Sequence, residues 1–291
     1  SKVIFVIIFS ALKLLFISLE MPFSYFLYLS AIEFLPAFLI AYIYTSKKYK
    51  LNFIIRDIEP SSFKSVFLLL LPMFINSLVV IVNTRVDQLM IFNPLDSESL
   101  GIYAVGSRLA EFWLLIPSTI FTIYFPVLMD KMNQKYWEEA FLLPFLSLIN
   151  VFVLILASGV IIFSYFVINI YFSSDYHDSF YISIILNSSS IFIQMRVLTG
   201  KLLIAKNEYK RILTRSIIAI FINVFLNIIM IPQFGIYGAA FSSLISMIFL
   251  GLLYDFLDMK YRNVFWIKIR SLFVILNPAS IFKYYKIISK I

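Results

Sequence analysis

Charged and amide side chains set inside long apolar runs are the groups in this sequence with chemistry to offer. Arg108 and Glu111 stand three apart in one such run, one helical turn, so they can pair on a single face. Ser118 and Thr122 continue that face, and Pro117 beside them favours a kink that frees backbone carbonyls. Counted from Gly101, Glu111 lies about 15 Å along the axis, near mid-membrane. In the preceding run Asn76, Asn83 and Asp87 share a face, whereas Arg85 projects elsewhere and suits an interfacial position. Glu33 sits in the middle of an earlier run, three residues before Pro36. A charge at that depth costs roughly 2.5–3.5 kcal/mol on insertion scales, so a proton or a partner must neutralise it.

A later run carries Ser183, Asn187, Ser190, Gln194 and Lys201 at helical spacing, with Arg196 on another face and able to snorkel towards the run's end. Lipid does not tolerate such a polar stripe, so it faces protein or water. Asn187-Ser188-Ser189-Ser190 can also loosen the helix locally. Asn223 and Asn227, four apart, are placed to hydrogen-bond across helices. Gly238, Ser242 and Ser246 form one small-residue face and Gly235, Ala239 and Ser243 its neighbour, both suited to close helix packing. Each polar group has two readings here. The Arg108–Glu111 stripe either lines a pathway or locks two helices together, and Glu33 either couples protons or makes a structural hydrogen bond.

Covalent catalysis finds no support. The chain has 7 Gly and no phosphate-binding loop, no Cys, and one histidine, His177, in a polar loop beside Asp175 and Asp178. No catalytic residue, metal site or cofactor is expected.

The elements that must position these groups follow from composition. Of 291 residues 62% are hydrophobic and 14% charged, too apolar for one globular core, which leaves lipid as solvent for the remainder. A crossing needs about 20 apolar residues as a helix, because an open strand edge in lipid leaves backbone groups unpaired. On that rule the chain is an all-α membrane protein, a polytopic bundle of about eight transmembrane helices. Their expected bounds are 3–19, 22–45, 65–92, 101–129, 141–172, 179–203, 212–231 and 238–257.

Lys47, Lys48, Lys50 and Arg56 follow the second span, Lys131 and Lys135 the fourth, and Lys206, Lys210 and Arg211 the sixth. The intervening connections, Pro94–Leu100, Ser173–Asp178 and Gln233–Tyr237, have no Lys or Arg. Every second connection is therefore basic and faces the cytoplasm, as does the tail with Lys260, Arg262, Lys268 and Arg270. That tail reads as an interfacial helix on the inner leaflet. The formal charge of +8 thus reports topology, and no nucleic-acid partner is expected. Ser1 is not an initiator Met and apolar sequence begins at once, so the chain reads as a portion of a longer protein.

Arg85-Val-Asp-Gln-Leu-Met-Ile91, Gly101-Ile-Tyr-Ala-Val-Gly-Ser-Arg-Leu-Ala-Glu111, Ile116-Pro117 and Phe125-Pro126 follow one another in a familiar order. Asn223-Val-Phe-Leu-Asn227, Ile231-Pro232 and Gly235-Ile-Tyr-Gly-Ala-Ala240 complete it. Together they resemble the second half of the Wzx-type O-antigen and capsular polysaccharide flippases, in the multidrug/oligosaccharidyl-lipid/polysaccharide exporter superfamily. The likeness runs from about Pro72 to about Gly251.

The resemblance implies two six-helix lobes about a central cavity, in a protein of about a dozen spans. Residues 1–45 would be the last two helices of the amino-terminal lobe and 46–64 a cytoplasmic linker. Residues 65–257 would be the carboxy-terminal lobe and 258–291 the basic tail. The implied function is to flip undecaprenyl-pyrophosphate-linked oligosaccharide repeat units across the bacterial inner membrane, without covalent chemistry. Arg108 and Arg196 become candidate anion contacts, with Asn187 and Gln194 as further substrate contacts. Glu33, Asp87 and Glu111 become candidate coupling-ion groups. Implied partners are the lipid-linked oligosaccharide, membrane lipids, and a polysaccharide polymerase or chain-length regulator. A multidrug/cation antiporter of the same superfamily and a membrane polysaccharide polymerase remain the alternatives.

Overall fold

A computed structural model describes residues 2–33, 35–49, 60–92, 95–132, 134, 136–275 and 277–288. Lys50, Arg56, Lys135 and Pro94 of the connections named above, and most of the 46–64 segment, lie outside the described residues. Helices account for nearly all of the described chain, and it falls into two compact units, Ser1–Phe67 and Leu68–Ile291. The all-α membrane class expected from composition is therefore what forms.

In the first unit α1 (Lys2–Ser18) is followed by α2 (Phe23–Ile32) and α3 (Leu35–Tyr49). Glu20, at φ 50°, turns the chain before Pro22, which cannot continue a helix from its own N–H. Lys13 of α1 donates to Glu33 at 2.7 Å.

The second unit is built from helices whose apolar sides are mostly exposed, as lipid requires. α9 (Leu143–Tyr171) shows why. Its 29 residues reach about 43 Å, more than the hydrocarbon thickness. Leu146, Asn150, Val153, Ala157, Val160, Ser164 and Ile168 recur every three or four positions and are buried, whereas Ile155, Ile162, Phe166 and Ile170 stay half to two-thirds exposed. Leu142, Leu146, Val153, Leu198 and Leu202 anchor the larger core around this buried face.

Other crossings are broken. α4 (Pro60–Asn83) passes into α5 (Val86–Phe92) through a 40° bend, and α10 (His177–Asn187) into α11 (Ser190–Ala205) through 41°. The second bend falls on the serine run expected to loosen the helix. Its hydroxyls turn back onto backbone carbonyls, Ser188 to Ile184 at 2.8 Å and Ser189 to Leu186 at 2.6 Å. α6 (Ser97–Glu111) starts four residues before the expected bound. Asp96 caps it by accepting from the Ser99 amide at 2.7 Å, which also holds the Asp96 carboxyl below its ordinary value. A 3-10 turn at Phe112–Leu114 then leads to α7 (Leu115–Ile123) and α8 (Phe125–Lys131). The break lies where Pro117 has no N–H for the Trp113 carbonyl.

The segment from Tyr209 to Leu257 is apolar over 49 residues, but it is not one rod. α12 (Tyr209–Ile248) contains Gly235 at φ 58°, ψ −136°, a left-handed conformation that L side chains avoid. There the chain folds back on itself. A Cβ on Gly238 would lie 2.1 Å from the Met230 carbonyl oxygen, so only glycine lets the arms meet at the turn. Further out, Asn223 donates to Ser243 at 3.2 Å, and Arg215 to Asp255 at 2.6 Å. The expected spans 212–231 and 238–257 are these two antiparallel arms. After the second arm come a π turn at Phe249–Leu253 and α13 (Tyr254–Leu257).

The tail forms α14 (Arg262–Val274) and α15 (Pro278–Ile288). Val264, Ile267, Lys268 and Ser271 are buried on one face of α14, and Asn150 of α9 donates to Ser271 at 2.9 Å. Lys268 is fully buried, in place of the lipid-surface position its basic neighbours suggest. Two residues along α14, about 200° of helix, separate Arg270, which faces out, from Lys268, which faces Asp255.

Candidate functional site

Asp87 stands in the first turn of α5, just past the α4 bend, and is 6% exposed. Its carboxylate accepts from Tyr103 Oη at 2.9 Å, from Asn227 Nδ2 at 2.7 Å and from the Ser243 hydroxyl. Asn227 also donates to Asn223 Oδ1 at 3.0 Å. Four segments therefore converge on one carboxylate: α5, α6 and both arms of the hairpin. All its direct donors are neutral, and donors of this kind favour a charged acceptor without supplying a countercharge.

The helices reach this arrangement by close approach. A Cβ on Gly106 would lie 2.7 Å from the Ser179 carbonyl, so α6 touches the α10 backbone there, and Ser179 donates to the Ile102 carbonyl at 2.7 Å. Asp87 opens onto a cavity of about 240 Å³ among α4–α6, α10, α11 and the second hairpin arm. Asn83, Gln88, Tyr103, Ser107, Glu111, Arg196 and Ser243 supply its polar wall.

The structure brings Asp87, Glu111 and Arg196 to this one cavity. Arg108 does not join them: it is exposed and, among the described residues, forms no ion pair with Glu111. Ser118 and Thr122 donate back to the Leu115 and Ser118 carbonyls. Asn187 is buried and committed, donating to the Ala157 carbonyl at 2.8 Å and accepting from Ser190 at 3.0 Å. Gln194 is buried and, among the described residues, neither of its amide atoms is hydrogen-bonded. Glu33 belongs to the first unit, with Lys13 as its partner. Arg85 donates to Gln88 at 3.5 Å. His177 is exposed and lies edge-on to Tyr181.

A second polar cluster escaped the sequence reading. Asp255, fully buried, accepts from Arg215, from Thr199 at 3.0 Å and from Lys268. The π turn beside it widens the helix, and its carbonyls are put to use: Leu250 accepts from Arg215 at 3.1 Å and Gly251 from Lys268 at 2.6 Å. The signal was in the sequence, since Arg215 and Asp255 are equidistant from Gly235 and a hairpin must set them side by side.

Apolar outer faces around a polar interior, crossed repeatedly by broken helices, define a multi-pass helical membrane protein. The chain belongs to the family described as polysaccharide biosynthesis protein, whose model matches residues 26–181. It is 25% identical over 187 residues to the "Probable low-salt glycan biosynthesis flippase Agl15" of Haloferax volcanii, covering 61% of this chain and 40% of the relative. It is 24% identical over 210 residues to the "Capsular polysaccharide biosynthesis protein CapF" of Staphylococcus aureus, covering 70% and 52%. The chain thus spans about half the length, or less, of these curated relatives. No solved structure matches it.

Proposed function

We propose that the protein containing this chain is a flippase that moves lipid-linked oligosaccharides, carried on undecaprenyl pyrophosphate, across the bacterial cytoplasmic membrane by alternating access. The observation that carries this reading is a polar cavity holding Asp87, Glu111 and Arg196 inside a bundle with apolar outer faces. A transporter needs such a chamber, and a purely structural subunit gains nothing from burying it. The relatives' names support glycan export as its purpose.

In this reading residues 65–257 are the carboxy-terminal lobe, 1–45 the end of the other lobe, and the basic connections and tail are cytoplasmic. Arg108, exposed on α6, meets substrate or the facing lobe, and Arg196 meets substrate from within. Asp87 and Glu111 carry the coupling charge, and no covalent step occurs. A polymerase or chain-length regulator takes the product.

The test is complementation of a flippase-deficient strain, supplied with matching repeat-unit synthesis genes, by the intact parent protein. Surface polymer should return, and Arg108→Ala and Glu111→Gln should each reduce it while the protein still inserts. Repeat units stranded on the inner leaflet despite normal insertion would overturn the assignment.

A further inference from the structure

Two cavities lie under one helix. The first is the Asp87 chamber. The second, of about 180 Å³, lies between α4, α11 and the first hairpin arm, with Asn76, Val80, Arg196, Gly200 and Ser216 in its wall. Arg196 belongs to both walls, so the two spaces are neighbours. α4 covers them in turn: Asn76 and Val80 line the smaller, Asn83 and Thr84 the larger. Asn76, Val80 and Asn83 stand four and three apart, on a single helix face. The opposite face, with Phe74, Leu78, Ile81 and Val82, is about half exposed or more.

The two halves of this broken helix are held very unequally. Past the 40° bend α5 is anchored: Val86, Asp87 and Ile91 are buried, and Asp87 accepts from α6 and from both hairpin arms. Before the bend α4 packs only sparingly on the rest of the unit. Among the described residues, one side-chain hydrogen bond ties Leu71–Asn83 to another helix, from Ser216 to Asn76 Oδ1 at 2.7 Å. Next to the bend, Asn83 Oδ1 is buried and, among the described residues, has no partner. At the bend the Thr84 hydroxyl donates back to the Ile81 carbonyl at 2.8 Å and the Arg85 amide to the Val82 carbonyl at 3.0 Å. The last turn of α4 therefore closes on itself instead of running on into α5. Any peripheral helix in lipid has an apolar outer face, but its inner face ordinarily packs a dry core. Here the inner face bridges two polar-walled spaces with one catch between them.

We propose that α4 is a lid, a lever that swings about Thr84–Arg85 to open and close the Asp87 chamber on the side that α4 covers, with Ser216 and Asn76 as its catch. Asn76 is eight residues from Thr84, about 12 Å along the helix, so a swing of about 15° moves it by about 3 Å and breaks the catch. Closing uses the smaller cavity as clearance, and opening joins the two spaces beside Arg196. A single neutral hydrogen bond is weak enough to be broken and remade thermally. The anchored α5 keeps Asp87 in place while the lid moves. The motion stands on this geometry alone. Only its purpose, admitting and releasing cargo, rests on the transport reading.

The chain has no cysteine, so introduced pairs can be labelled selectively in the intact parent protein once any cysteines elsewhere in it are replaced. Spin labels at Phe74 on α4 and Ile155 on α9 read the lid, and labels at Leu89 on α5 and Ile155 read the anchored half; all three positions are exposed. In nanodiscs the Phe74 pair should show two distances, and the Leu89 pair one narrow distance. Asn76→Ala should change the ratio of the two by about fivefold, the factor that one neutral hydrogen bond supplies. Ser216→Ala removes the same bond from the other side and should do the same. A single narrow distance for the Phe74 pair, unchanged by both substitutions, overturns the lid. Its role is read separately, by joining Asn76→Cys to Ser216→Cys with a short cleavable thiol crosslinker. Export should fall to background and return on cleavage, and complete crosslinking with undiminished export denies the lid any part in transport. A moving α4 in a protein that exports nothing defeats the transport reading alone, and a fixed α4 in an exporting protein defeats the lid alone.

Discussion

Asp87 and Asp255 are both buried aspartates, and both are held through the same helical hairpin. Among the described residues, Asp87 accepts from neutral groups alone, Tyr103, Asn227 and Ser243, and it opens on a cavity. Asp255 is fully enclosed and clasped by Arg215 and Lys268, each of which also donates to a π-turn carbonyl. Asp255 has its countercharge built in, and Asp87 has its acceptors satisfied but, among the described residues, no cation in contact. The first is a joint between the hairpin and α14. In the transport reading proposed above, the second is the one whose charge would serve a coupling ion.

Substitutions that treat the two aspartates alike should therefore give opposite results. Asp255→Asn strands two cations and should destabilise the protein by about 3–5 kcal/mol, read as a large drop in thermal unfolding temperature in detergent. Lys268→Met should be milder, because Arg215 still pairs. Equal losses from the two would show that Lys268, and not Asp255, organises the joint.

Gly238→Ala is the next largest effect, about 1–3 kcal/mol from overpacking at the hairpin turn. Because the hairpin serves both sites, stability and export should fall together. Loss of only one separates the sites mechanically. Tyr103→Phe removes one of three donors to Asp87 and should cost about 1 kcal/mol, with a partial export defect visible in surface polysaccharide. Asp87→Asn comes last on the stability scale, within about 1 kcal/mol, since the amide keeps the shape and the hydroxyls can reorient. Export should nevertheless fall to background. A stable, fully exporting Asp87→Asn protein would remove Asp87 from the transport chemistry.

Much of the fold was legible because it depends on local quantities. Run length and apolarity placed the helices, and the serine run at 188–190 marked a real break. The two hairpin arms followed from the apolar runs 212–231 and 238–257 and the short connection between them, though the fold-back conformation at Gly235 itself did not. The polar sites were less legible, because they depend on which faces meet. Asn223 and Asn227 read correctly as cross-helix donors, but that the target of Asn227 is Asp87, 140 residues away, has no periodic signature. Spacing on α6 made Arg108 and Glu111 look like partners. A 3-10 turn directly after Glu111 ends that helix, and the carboxylate lines the cavity while the guanidinium faces out. Lys268 looked like one more tail cation because nothing local distinguishes it from Arg270. Its burial is decided by Asp255 and Thr199 on other helices.

The fold-back at Gly235 also works as a ruler. It fixes which residue of one arm lies beside which residue of the other, and both polar sites are graduations on that scale: Asn223 with Ser243, Arg215 with Asp255. Deleting one residue from a single arm between the turn and Asn223 would rotate everything beyond it by about 100° and slide it about 1.5 Å. Both sites would then lose alignment at once, however far the deletion lay from either. Length changes in this region are tolerable only as matched pairs, one in each arm, so the hairpin can vary in side chains far more freely than in residue count.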